Sequence, residues 1–300
     1  MDFEKSGMVE VKNEYLVSYI FPHNNREELL EYNLKSLLCQ TVKDFEIIIT
    51  DNSLNKEKVK NVVSQFRKLG LNIKLYFVDP QLCPFSHDGS MYQNKFCPAI
   101  QQNVGVKKAS GKIIVLTSPE IINASTNVEN IINKLNDNES KFLYGWMDEM
   151  KKEEIKDVIQ SDYDLHVIKK ICENNVRDPI NGGAWCKECE CKPSAYFLGC
   201  MLRKDFIRVG GIDETFMSGI GWEDNEFAQR CNRNSIIGFF EENIGGIHLW
   251  HNREYQAFDV GGEWTAALTS INARRYAITN NLIANEGYNW GSDSYIVGEF

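Results

Sequence analysis

The sequence predicts an α/β fold, a mostly parallel central sheet flanked by helices. Three observations carry that expectation. Short apolar, β-prone runs recur at residues 15–21, 45–51, 73–78 and 113–116. Segments with leucine or valine at helical spacing lie between them. Two of the runs end at an acid, Asp51 and then Glu120, where open α/β sheets hold their ligands. Such alternation of strand and helix favours parallel strands covered on both faces.

The elements follow in order. Tyr15 to Phe21 reads as a buried strand stopped by Pro22 and the polar His23-Asn24-Asn25. Leu30, Leu34, Leu37 and Leu38 predict a helix from about Arg26 to Gln40. Phe45 to Asp51 is a second strand, followed by a polar helix carrying Val59, Val63 and Phe66 as far as Gly70. Ile73 to Val78 is a third strand. Residues 79–97 form a long irregular loop, in which His87 and Asp88 read as surface residues. A helix over Ala99 to Ala109 contains Asn103 and Gly105, and Ser110-Gly111 closes it. Ile113 to Leu116 is the next strand and ends in Thr117-Ser118-Pro119-Glu120.

On its residues alone, Ser118-Pro119-Glu120 reads as a helix start with proline in its first position. Residues from Met147 to Lys170 are charged and read as a solvated helix or two. Apolar runs at 195–202 and 236–240 add strands, and Trp264 to Ile283 reads as a helix packing on the core. Residues 1–255 are expected to form one domain, with 256–300 an extension packed on it.

Composition narrows the function classes. The 300 residues carry a formal net charge of −9, which argues against a nucleic-acid or anionic-membrane surface. No apolar run approaches the roughly 18 residues of a membrane span. Residues 1–12 are polar and mixed in charge, unlike a signal peptide, so a cytoplasmic protein is expected. Its nine cysteines should then be mostly reduced. Cys186, Cys189 and Cys191 could hold a structural zinc with a fourth ligand, or be loop thiols or a disulfide.

The stretch richest in chemistry is Gly210-Gly211-Ile212-Asp213-Glu214 followed by Gly221-Trp222-Glu223-Asp224-Asn225-Glu226. It sets two adjacent carboxylates at the mouth of a helix, whose N-terminus favours negative charge. One acid could orient a hydroxyl while its neighbour takes the proton. An acidic helix start is also a common capping device.

Four landmarks taken together resemble an inverting glycosyltransferase of the GT-A fold, the nucleotide-diphospho-sugar transferase fold, in the large family 2 group. They are Val17 to Asn25; Phe45 to Ser53; Asn103-Val104-Gly105 with Ala109 to Leu116; and Phe197 to Arg203 through Gly210–Glu214 to Gly221–Asp224. The resemblance spans about residues 15–253. It implies that Asp51, with the backbone near Pro22, holds the nucleotide base and ribose, and that Asn103 and Ser118 touch the donor. It implies Asp224 as the base, with Glu223 and Trp222 orienting the acceptor.

Such enzymes usually carry Asp-x-Asp where this chain has Ser118-Pro119-Glu120, so Glu120 takes the place of the final, metal-binding acid. His248 or His251 would complete the metal site. Residues three apart on a strand face opposite ways, so one of them is expected to bind, His251 by preference. The implied cofactor is Mn²⁺ or Mg²⁺, the donor a UDP-sugar, and the acceptor a hydroxyl of a glycan or glycoconjugate.

Two other classes fit less well. Nucleotidyl transfer expects a glycine-rich basic loop after the first strand, and Pro22 to Arg26 has no glycine. A non-catalytic binding module with a degenerate metal motif draws on Ser118-Pro119.

Overall fold

Every residue of β1 (Val17–His23) and β2 (Phe45–Asp51) is buried, as strands covered on both faces must be. These elements come from a computed structural model, which describes residues 15–84, 98–174, 198–251 and 263–300. The Cys186, Cys189 and Cys191 cluster, His87 and Asp88 fall outside the described residues.

Helix α1 (Glu27–Leu38) buries Leu30, Leu34 and Leu37, and α2 (Lys56–Lys68) buries Val59, Val63 and Phe66. Both apolar stripes pack with Tyr19, Ile47 and Val115 on one face of the sheet. The other face is covered by α3 (Pro98–Lys108), α7 (Arg203–Arg208) and α8 (Glu223–Arg233). There Val106, Phe206, Phe227 and Cys231 pack with Ile20, Ile48 and Leu116. A Cβ on Gly105 would come within 2.5 Å of Ile20 Cγ2. Only glycine lets α3 lie this close to β1.

The remaining strands are β3 (Ile73–Val78), β4 (Ile113–Leu116), β5 (Ile121–Asn123), β6 (Lys141–Met150), β7 (Gly199–Leu202), β8 (Ile237–Leu249) and β9 (Ile296–Glu299). The described strands form one sheet in the order β5-β8-β6-β7-β4-β1-β2-β3-β9. β1, β2, β3, β4, β6 and β8 run one way, and β5, β7 and β9 run against them. The carboxyl ends of β1, β2, β4, β6 and β8 therefore share one edge. The described remainder includes α4 (Asn127–Leu135), α5 (Lys156–Gln160), α6 (Leu165–Asn174) and α9 (Glu263–Ile278).

The structure corrects several expectations. Pro22 does not stop the first strand but pairs with Thr50 inside it. Thr117 N donates to Ile20 O, so Ile20 turns its polar groups toward β4. Two residues on, Pro22 turns the same way, past the last paired residue of β4, where no N–H is required. The charged stretch read as helix from Met147 begins as strand, because β6 pairs with β8 through Met150. Helices α5 and α6 occupy only its later part. No helix starts at Ser118-Pro119-Glu120, which turns instead into β5. The C-terminal helix ends at Ile278, and Ile296–Glu299 adds an edge strand beside β3 that periodicity did not reveal.

Candidate metal centre and active site

Glu120 lies in the turn from β4 to β5, and neighbouring elements pin that turn. Leu249 N donates to Glu120 O at 2.8 Å. Asn33 Nδ2, buried in α1, donates to Ser118 O at 3.0 Å. Pairing of β5 with β8 sets Ile121 opposite His248. As a result His248 Nε2 lies 3.7 Å and His251 Nε2 lies 3.5 Å from Glu120 Oε1. One ligand atom from each residue lies within 4.8 Å of the others.

The expectation that the histidines face opposite ways is thus corrected. β8 ends at Leu249, so side-chain alternation does not extend to His251, and both imidazoles meet one carboxylate. Ligands about 2.1 Å from a common ion stand roughly 3–4 Å apart, so the residues present fit a divalent cation. Two nitrogens and one oxygen favour a transition ion such as Mn²⁺ over Mg²⁺, which prefers oxygen.

Burial would raise the Glu120 carboxyl, but the Arg26 guanidinium and the two imidazoles outweigh it. They hold the group well below the usual carboxylate range. Arg26 Nη1 is 2.9 Å from Oε1. Burial alone would lower His248, yet Glu120 and Glu149 raise it above its ordinary value. Glu149 Oε2 lies 3.3 Å from His248 Nδ1, the arrangement in which a carboxylate fixes the ring and tautomer of a ligating histidine. Glu149→Gln is accordingly expected to weaken Mn²⁺ binding about 10- to 100-fold by titration calorimetry. An unchanged affinity would show that Glu149 does not orient His248. Three buried atoms at this turn, Thr117 Oγ1, Ser118 Oγ and Glu120 Oε2, have no hydrogen-bond partner among the described residues. Leaving a polar atom so costs about 1–3 kcal/mol, which a ligand can relieve.

Along the same edge, Asp51 ends β2 with its side chain buried. Its Oδ1 bonds His23 Nδ1 at 2.7 Å and Ser53 Oγ at 2.5 Å. Asp51 Oδ2 and His23 Nε2 are buried without a partner among the described residues. Pro22 lies beneath them in β1. Asn103 is placed elsewhere. Its Nδ2 donates to Ile212 O at 2.8 Å and Glu214 Oε1 at 2.9 Å, and its Oδ1 accepts from Ile212 N. Its amide is spent on the Gly211–Glu214 turn, not turned toward the Glu120 cluster.

α8 ends at Arg233 just before β8 starts at the opposite edge, so it runs down the sheet against β8. Its first turn therefore stands at the edge where β4 and β8 end. Trp222 precedes it with a left-handed φ of 72° and packs on Tyr276 at 5.0 Å between ring centroids. Asn272 of α9 donates to Gly221 O at 2.8 Å and Phe216 O at 2.9 Å, bracing this loop. Glu223 and Asp224 are half-buried. Burial raises the Asp224 carboxyl above its ordinary value despite a hydrogen bond from Asn225 N at 2.8 Å. Farther down α8, fully buried Arg230 bonds Glu226 at 2.7 Å and Gly211 O at 2.7 Å, tying the helix to the Gly210-Gly211 turn. A Cβ on Gly211, whose φ is +71°, would meet Asn103 Oδ1 at 2.6 Å.

No protein-family model matches the chain, and no curated protein matches it. Solved structures do. The mannosyltransferase PcManGT from Pyrobaculum calidifontis, in complex with GDP-Man and Mn²⁺, matches with a TM-score of 0.52 at 16% identity, over 88% of this chain and 66% of that one. S. aureus TarS matches with a TM-score of 0.56 at 15% identity, over 89% of this chain and 40% of that one. TarS residues 1–349 in complex with UDP-GlcNAc give 0.57 at 14%, over 89% and 68%. The chain has a GT-A glycosyltransferase fold. At these identities the likeness is one of fold, and the chain spans 66% of PcManGT and 40% of the longer TarS chain.

Sequence reasoning missed Arg26, Glu149 and the His23 contact to Asp51. Arg26 directly follows the polar His23-Asn24-Asn25 run, the one signal that could have raised it. Glu149 was hidden in a segment read as helix.

Proposed function

We propose that the chain is a metal-dependent inverting glycosyltransferase, moving a sugar from a nucleotide diphosphate sugar, a UDP-sugar first among them, to a hydroxyl of a glycan or glycoconjugate. The convergence of Glu120, His248 and His251 on the ligand edge of a GT-A sheet carries this reading. PcManGT binds GDP-Man with Mn²⁺ and TarS binds UDP-GlcNAc, which supports a nucleotide-sugar donor and a bound cation.

Asp51 and His23 offer buried polar atoms to the base and ribose, and Ser118 Oγ offers one to the donor. A divalent ion held by the triad would neutralise charge on the departing diphosphate. Asp224 takes the proton of the acceptor hydroxyl as its oxygen bonds to the anomeric carbon and the bond to the diphosphate breaks. That single displacement inverts the anomeric configuration. Glu223 accepts a hydrogen bond from the acceptor, and the Trp222 indole gives a sugar ring an apolar face.

Residues 1–255 would be the catalytic unit and 256–300 an extension that braces it, as the Asn272 contacts to the Gly221 loop support. The acidic chain, with Cys39, Cys200 and Cys231 free, suits the cytoplasm, which cell fractionation tests. Among the described residues no helix is long and apolar enough to cross a membrane.

UDP release from a panel of UDP-sugars tests the reading. Release is expected with Mn²⁺, and it should fall to background with EDTA and return when Mn²⁺ is restored. UDP binding without turnover of any donor or acceptor would favour a binding module instead.

A further inference from the structure

Glu120 Oε1 has three cationic or basic groups around it: Arg26 Nη1 at 2.9 Å, His251 Nε2 at 3.5 Å and His248 Nε2 at 3.7 Å. An ion held between that oxygen and the two imidazoles would set a double positive charge against the guanidinium. Like charges this close, in a buried setting, repel strongly. Arg26 has somewhere to go. With Lys151, Lys152 and His251, and beside Glu27, Glu28 and Glu153, it lines a cleft of about 840 Å³. The cleft lies on the α1 side of the sheet edge, where Leu29 packs with Ile122 and Leu249.

We propose that Arg26 and the metal ion exchange places on Glu120. Without the ion, the guanidinium neutralises the buried carboxylate. With it, Arg26 turns into the cleft and grips an oxygen of the diphosphate, which its planar fork of N–H groups suits. The one guanidinium would then serve in both states. The inference rests on the proposed function, whose site it completes.

The test is calorimetric titration of the full chain with Mn²⁺ alone, then with UDP in saturating Mn²⁺, for wild type, Arg26→Gln and Arg26→Lys. Removing the competing charge in Arg26→Gln is expected to tighten Mn²⁺ binding about tenfold and to weaken UDP binding about tenfold. Arg26→Lys, which keeps the charge but loses the fork, should leave Mn²⁺ affinity near wild type and still weaken UDP. Should Arg26→Gln fail to fold by circular dichroism, the lysine variant alone decides through that split.

A merely structural latch would weaken both ligands together. Arg26→Gln that binds Mn²⁺ no tighter, or UDP no more weakly, than wild type overturns the exchange and leaves the proposed function standing. Wild-type protein that takes up no Mn²⁺ overturns both.

Discussion

Asp224→Asn is expected to cut sugar transfer about 100- to 10,000-fold, the range for loss of a positioned general base. Asparagine keeps the shape of the side chain, and its Oδ1 can still accept from Asn225 N, so the first turn of α8 stays formed. What it loses is the ability to take a proton. The cost corresponds to about 3–5 kcal/mol of barrier, far above the half kcal/mol or so of a surface substitution. Binding of UDP and Mn²⁺ should be unaffected, because no member of the triad lies on α8: Glu120 is in the β4–β5 turn, His248 on β8 and His251 just beyond it. The measurement is kcat alongside the dissociation constant for UDP, and a loss below tenfold would remove Asp224 from the role. The pH profile gives a second reading. Burial raises the Asp224 carboxyl, and the active form is deprotonated, so activity should fall on acidification at a pH above the ordinary aspartate range near 3.9.

Arg230→Ala carries the other large effect, this time on stability. The side chain is fully buried between the Glu226 carboxylate and the carbonyls of Val209 and Gly211. Among the described residues, truncation leaves Gly211 O without the guanidinium, Val209 O with only Ala284 N at 3.0 Å, and Glu226 with only Arg233 at 3.1 Å. Breaking a buried pair from one side costs about 3–5 kcal/mol. Urea unfolding should show that loss, and Arg230→Lys should recover only part of it, since an ammonium cannot span the same acceptors. A shift of the midpoint worth under about 1 kcal/mol would mean that the Gly210-Gly211 turn holds without Arg230. Because this turn leads into the Trp222 loop, milder variants should lose activity before they unfold.

Much of the architecture was legible because β1 to β4 and the helices between them are built from local signals. Apolar runs and leucine stripes give each element its period, and burial on both faces leaves few polar residues to confuse the reading. Glu120 was found from its place opposite the Asp-x-Asp motif of the enzymes the chain resembles, and the Glu223-Asp224 pair from its glycine-rich approach. The failures have a common cause. β6 carries Asp148 and Glu149 and looks solvated until β7 and β8 are paired beside it. β9 is short and half exposed, so its identity comes from β3. Both histidines reach Glu120 only because β8 stops at Leu249, a boundary no periodicity marks. Asn103, which the resemblance placed at the donor, is claimed by a turn more than a hundred positions away, a tertiary fact that local pattern cannot carry.

The separation of Glu120 from its two histidines along the chain has a consequence for assembly. During synthesis the carboxylate emerges long before β8, and until β8 docks against β5 nothing brings an imidazole to it. Closing so long a loop is entropically slow, so the ion cannot nucleate folding and must arrive at its end. Capture of Mn²⁺ by a refolding chain would then act as a clock for the final strand pairing, lagging the far-ultraviolet signal instead of leading it.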